Sequence, residues 1–107
     1  MNEARLNSLL DFLAQEPTDA FTLYAIGMEW KEYNPKKAAE YFEKLVQHHP
    51  DYLAAYYQYS EVAIALQDRT KIIDLFEKGI ALAQAQGNLK TLGELKNAYM
   101  NWQIEED

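Results

Sequence analysis

Two stretches of the chain carry the same three residues in the same setting. AAEYFEKLVQHHPDY (Ala38 to Tyr52) holds Phe42-Glu43-Lys44, and IIDLFEKGIALAQAQ (Ile72 to Gln86) holds Phe76-Glu77-Lys78, 34 positions further on. Other anchors keep the same spacing. Pro17 and Pro50 are 33 apart, each is followed six residues later by Leu23 and Tyr56, and Leu89 extends the series by another 33. After each anchor comes an apolar residue and then a small one: Ile26-Gly27, Tyr59-Ser60, Leu92-Gly93. Ala38, Phe42 and Leu45 match Ile72, Phe76 and Gly79. A unit of this length cannot bury its own apolar face, so copies must stack and each must cover the next.

The unit is helical. Ala, Leu, Glu, Lys and Gln dominate while Gly (four) and Pro (three) are scarce, a composition that favours helix. Asn34-Pro35 reads as an N-cap followed by proline at the first helical position. Glu16-Pro17 and His49-Pro50 each end a helix, because the residue before proline is pushed out of helical geometry. Asp19, Asp51, Asp68 and Asn88 are N-cap candidates, and Gly87 is a left-handed terminator. Six helices follow, near 2–15, 19–32, 35–48, 52–66, 69–85 and 89–104. Loops this short force antiparallel hairpins. Gly27, Ser60, Gly93 and Ala38 are expected to let helices approach, with Phe42, Phe76 and Trp30 filling the space beside them. Glu43-Lys44 and Glu77-Lys78 read as solvated.

At 107 residues the chain is one domain by size. It has no cysteine, so disulfides and thiolate sites are excluded. Polar residues interrupt MNEARLNSLLDFLAQEP every few positions, which reads as an amphipathic helix and not a signal peptide. Nowhere do enough apolar residues run together to cross a membrane. The expected location is cytoplasmic. A net charge of −7, with three acids in the closing EED, argues against nucleic acid and anionic membrane as partners; the bland reading of the acidity is a solubilising surface.

The residues resemble the tetratricopeptide repeat, whose pattern runs W-x2-L-G-x2-Y, then A-x3-F, then P. The first copy reads Leu23, Ile26-Gly27, Trp30, then Ala38, Phe42, then Pro50. The second reads Tyr56, Tyr59-Ser60, Ala63, then Ile72, Phe76, with Gln84 in place of the proline, so its second helix should run on longer. A third begins with Leu89, Leu92-Gly93 but has Lys96 where an aromatic is usual, and stops after one helix. Upstream, LLDFLAQEP aligns with YFEKLVQHHP as the back half of a leading unit. The single domain therefore divides into a half repeat (1–17), two repeats (18–50 and 51–86) and a closing half repeat with an acidic tail (87–107). The resemblance implies an all-α, right-handed α-solenoid whose first helices line a concave groove, and a protein-interaction module.

Catalysis has no foothold. His48-His49 lacks any metal-ligand spacing and suits a helix C-terminus, no carboxylate pair is fixed as an acid/base couple, and no cofactor is implied. The groove expectation falls on Phe21, Tyr24, Met28 and Lys31, then Tyr57, Glu61 and Ile64, then Lys90, Glu94 and Asn97. This mixture suits an extended or helical peptide with apolar anchors; the alternative for each of these aromatics is completion of the inter-helix core. Tyr24, Met28, Tyr57 and Glu61 stand where the carboxylate-binding branch of the family clusters Lys, Arg and Asn, so that clamp is disfavoured. Tyr52, Tyr56, Tyr57 and Tyr59 must split between core and groove. An alternative is self-association: Leu89, Leu92, Leu95, Tyr99 and Trp102, with Met100 and Ile104, make a wide stripe for a terminal helix. An isologous dimer would then use Leu95, Tyr99 and Trp102, unless Trp102 folds back onto the preceding helix.

Overall fold

Five of the six helices start where a short polar side chain satisfies a first-turn amide. In the computed structural model, which describes residues 1–106, the helices are α1 (Glu3–Gln15), α2 (Ala20–Trp30), α3 (Pro35–His48), α4 (Leu53–Ala65), α5 (Arg69–Gln86) and α6 (Leu89–Glu106). Asp107, the last acid of the closing run, lies outside the described residues. Asn2, Asp19, Asn34 and Asp68 accept from the backbone N–H three residues on, at the starts of α1, α2, α3 and α5. Asn88 does the same for Thr91 in α6. These oxygens replace the water that the first-turn amides would otherwise need.

Asp51 is the exception. Tyr52 occupies the N-cap of α4 and makes no side-chain cap bond. The loop is held instead by long reaches from neighbouring helices. The Tyr56 hydroxyl donates to the Pro50 carbonyl at 2.6 Å, and Gln86 Nε2 donates to the Asp51 carbonyl at 3.0 Å.

Two helices end on a left-handed residue. Gly87 has φ 68°, and the Asn88 amide returns to the Ala83 carbonyl at 3.0 Å. Gln67 has φ 58°, and the Asp68 amide returns to Ala63 at 3.1 Å. In both joints the residue after the left-handed one also caps the next helix through its side chain. Without a proline at Gln84, α5 runs 18 residues against 14 for α3.

Each helix packs chiefly on its neighbours in the chain, giving an all-α repeat array with extents of 41 × 28 × 21 Å. The repeated positions form the core. Leu23, Ile26, Ala38, Phe42, Leu45, Phe76 and Leu95 have no exposed surface, and Tyr56 and Tyr59 are nearly as covered. Phe42 lies in a notch made by Gly27: a Cβ added there would fall 2.7 Å from its ring. The ring stacks on Tyr59 at 6.0 Å and meets Tyr24 edge-on at 6.2 Å. At the other end Phe76 stacks on Tyr99 at 4.9 Å, and Tyr99 on Trp102 at 6.2 Å.

Two expectations are corrected here. Gly93 gives no close approach: nothing among the described residues lies within 4 Å of the Cβ it would carry, because none of the described helices covers this side of α6. Glu43 is not simply solvated. Its carboxylate accepts from the Tyr59 hydroxyl (2.8 Å) and Gln47 Nε2 (2.8 Å) and pairs with Lys71 Nζ (2.6 Å), joining α3, α4 and α5. Lys44, by contrast, rests over the Tyr41 ring, and Lys78 pairs with Asp74 within α5.

Burial alone would raise the Glu43 carboxyl, but hydrogen bonds from Lys71, Tyr59 and Gln47 hold it below its ordinary 4.5. A carboxyl depressed in the folded state stabilises the fold above its ordinary value, and that contribution disappears as pH falls through the folded value. The wild type should therefore lose thermal stability on acidification below pH 4.5 more steeply than Glu43→Gln. Parallel thermal melts of the two proteins down the pH scale check this, and identical slopes would remove Glu43 from the acid response.

Candidate functional site

On α2 the core residues Thr22, Leu23, Ile26 and Gly27 occupy one side, which leaves Phe21, Tyr24, Met28 and Lys31 on the other by the helical period. Phe21 is 67% exposed and Met28 37%. Tyr24 is only half exposed, because its ring sits against Phe42 and, at 5.5 Å, Tyr52. Burial, and then the neighbouring Tyr52, push its hydroxyl above the ordinary value.

The corresponding side of α4 carries Tyr57, Glu61 and Ile64. Its core side carries Tyr56, Tyr59 and Ser60, so the four clustered tyrosines do divide. Tyr57 is half-buried; burial raises its hydroxyl and the carboxylates of Glu61 and Glu94 add to that. Ile64 is half-buried and lines a cleft with Trp102 and Glu105. On α6, Lys90, Glu94 and Asn97 are exposed.

Lys31 ties the first two of these faces together. Its Nζ donates to Gln58 Oε1 at 2.7 Å and to Glu61 Oε1 at 3.1 Å, spanning from the end of α2 to the middle of α4. The ammonium is largely covered and the Glu61 carboxylate is not, so the negative end of the pair faces solvent. The side of α2 that carries Phe21 and Met28 thus ends, one turn beyond Met28, at a fixed, partly shielded ion pair. Gln58 is the member that the sequence reading did not include. Its signal was there, since Gln58 and Glu61 are three apart on one helix and present oxygens to the same side.

Leu95 is fully buried, Trp102 is 6% exposed and Tyr99 is stacked on Phe76, so all three are turned onto α5. Arg69 of α5 lies over the Trp102 ring at 5.3 Å and pairs with Glu106 at 3.6 Å. The wide stripe on α6 therefore divides. Leu95, Tyr99 and Trp102 are consumed in covering α5, while Leu89 (78%), Met100 (52%) and Ile104 (65%) remain exposed. Self-association through the first three would require α6 to leave α5. His49, at the end of α3, has its Nε2 2.6 Å from the Thr18 carbonyl and so fastens that helix to the turn between α1 and α2.

Stacked antiparallel hairpins with a small-residue notch filled by a phenylalanine define a helical repeat protein. No model of a known protein family matches the sequence, and no curated protein matches it. Solved structures do. The solution structure of a tetratricopeptide repeat domain protein from Salinibacter ruber is 36% identical over 79% of this chain and 87% of that one, with a TM-score of 0.72. A crystal structure of a tetratricopeptide repeat domain protein from the same organism is also 36% identical, over 77% of this chain and 93% of that one, at 0.71. The chain belongs to the tetratricopeptide repeat family. A protein from Bordetella parapertussis shares the fold at 20% identity, with a TM-score of 0.81 over 94% of this chain and 89% of that one. Among the described residues no helix is long and apolar enough to cross a membrane.

Proposed function

We propose that the chain is a non-catalytic adaptor, cytoplasmic, which holds a peptide or protein segment along the open sides of α2, α4 and α6. The observation that carries this reading is the exposed Phe21 and Met28 on the side of α2 that ends at the Lys31–Glu61 pair, because exposed apolar side chains in line with a fixed charge pair supply both anchor and register for a peptide. Tyr57 and Tyr24, half-buried and rigid, would floor the site, and Lys90, Glu94 and Asn97 would extend it. The net charge of −7 speaks for a protein partner over nucleic acid. The unit of action in this reading is the whole array, the two repeats and the two flanking half repeats together.

Peptides selected on the wild-type chain from a random display library provide the test. Phe21→Ala with Met28→Ala should weaken their binding at least about tenfold, the scale of a hot-spot contact, with the fold unaltered because both side chains are exposed. Lys44→Ala, on a second helix, should leave binding unchanged. Undiminished affinity in the double variant, or failure of the wild type to select any peptide, would overturn the groove.

A further inference from the structure

The two full repeats show what each position in the unit touches. Leu23 and Gly27 on α2 are buried, with the Phe42 ring of α3 in the glycine notch. Tyr56 and Ser60, their counterparts on α4, are buried too. The third set of the same positions is Leu89 and Gly93 on α6. Leu89 is 78% exposed, and among the described residues nothing lies within 4 Å over Gly93. Met100 and Ile104 continue this bare strip, since residues 89, 93, 100 and 104 share one side of a helix of 3.6-residue period.

The opposite end of the array lacks the complementary half. With Pro17 aligned to Pro50, Leu9 and Phe12 of α1 take the places of Phe42 and Leu45, both fully buried on α3. Phe12 is 44% exposed and Leu9 half-buried, because among the described residues no helix covers them. Arg5, at the position of Ala38, is drawn aside by its ion pair with Glu29 on α2. One end thus displays a first helix without its second, and the other a second helix without its first.

We infer that copies of this chain associate head to tail, α1 of one copy docking on the bare strip of α6 of the next and completing a repeat between them. The contact continues the α2–α3 interface already present in the molecule, with Leu9 over Gly93 in the role of Phe42 over Gly27. On the side of α1 that carries Leu9 and Phe12, Arg5 is already neutralised by Glu29 and Glu16 follows at the C-cap, while Lys96 stands midway along the strip of α6. Two α6 helices paired about a two-fold axis would instead bring their Lys96 side chains together at the centre of the strip, a like-charge contact that disfavours that dimer. The head-to-tail contact uses different surfaces on each copy, so it does not close a dimer but builds an open chain. It leaves the open sides of α2 and α4 free and does not depend on the peptide-binding reading.

Sedimentation velocity from micromolar to millimolar protein tests this. The wild type should sediment faster as concentration rises. Leu89→Glu and Phe12→Glu, each at an exposed site, should keep native circular dichroism and remain monomeric, with association at least tenfold weaker. Their equimolar mixture should form a one-to-one dimer, because one variant keeps an intact α1 and the other an intact α6. Should Phe12→Glu fail to fold, Phe12→Ser takes its place. A wild type that stays monomeric throughout would overturn the inference. So would a Phe12 variant that still associates while Leu89→Glu does not, the pattern of α6 pairing with itself. A mixture that remains monomeric would count equally against it.

Discussion

Phe42→Ala should lower the unfolding free energy by about 3–5 kcal/mol, the range for a large aromatic removed from a closed core. The side chain has no exposed surface and lies among Gly27, Tyr24 and Tyr59, which belong to α2 and α4. The cavity therefore opens where three helices meet, and none can collapse into it without leaving a partner. Against a total stability of about 5–15 kcal/mol for a domain of this kind, such a loss removes a large part of the fold. Urea unfolding followed by circular dichroism should show a much lower midpoint with little change in slope. Phe12→Ala is the matched control: its ring is 44% exposed, so the loss there should be well under half as large. Equal losses at the two sites would mean that Phe42 is not the wedge between α2, α3 and α4.

The second large effect is one of sign. Glycine inside a helix costs about 0.5–1 kcal/mol relative to alanine, so Gly→Ala is stabilising where space allows. At Gly79 it does not allow. A Cβ there would stand 2.9 Å from Tyr56 Cβ and 3.2 Å from Leu95 Cδ1. The Tyr56 atom is fixed to the α4 backbone, so no rotamer change can move it and the helices themselves must separate. Overpacking of this kind costs about 1–3 kcal/mol, which exceeds the propensity gain, and Gly79→Ala should destabilise. Gly93→Ala, with open space above it, should stabilise by the propensity term alone. The same experiment on two glycines of neighbouring helices should thus move the urea midpoint in opposite directions. Movement in the same direction would mean that α4, α5 and α6 are less closely packed than their distances state.

Helix boundaries were legible in the sequence to within about two residues, because caps and prolines act locally. Asn34-Pro35, Glu16-Pro17, Asp68 and Gly87 each do their work within one turn, and one turn is what a sequence displays. Phe42 and Phe76 were legible as core because the period repeats them. What the sequence could not display depends on distant partners. Asp51 gives up its expected cap because Tyr56 and Gln86 reach into its loop. Glu43 becomes a junction only because Lys71 and Tyr59 arrive from other helices. Gly93 repeats the notch of Gly27 in sequence but has none of the described helices above it, so period alone could not tell a filled notch from an empty one. Within the candidate site, Phe21 and Met28 were placed by helical period, whereas the Gln58 contact required the actual approach of α2 to α4.

The joints after α4 and α5 have a mechanical consequence. In each, one residue serves two helices: the Asn88 amide closes α5 on Ala83 while its side chain opens α6 at Thr91, and Asp68 does the same between Ala63 and Lys71. Fraying of one helix end must then release the beginning of the next. The ends and beginnings of the last three helices are thereby coupled at both joints, so each joint loses two caps when one residue is displaced.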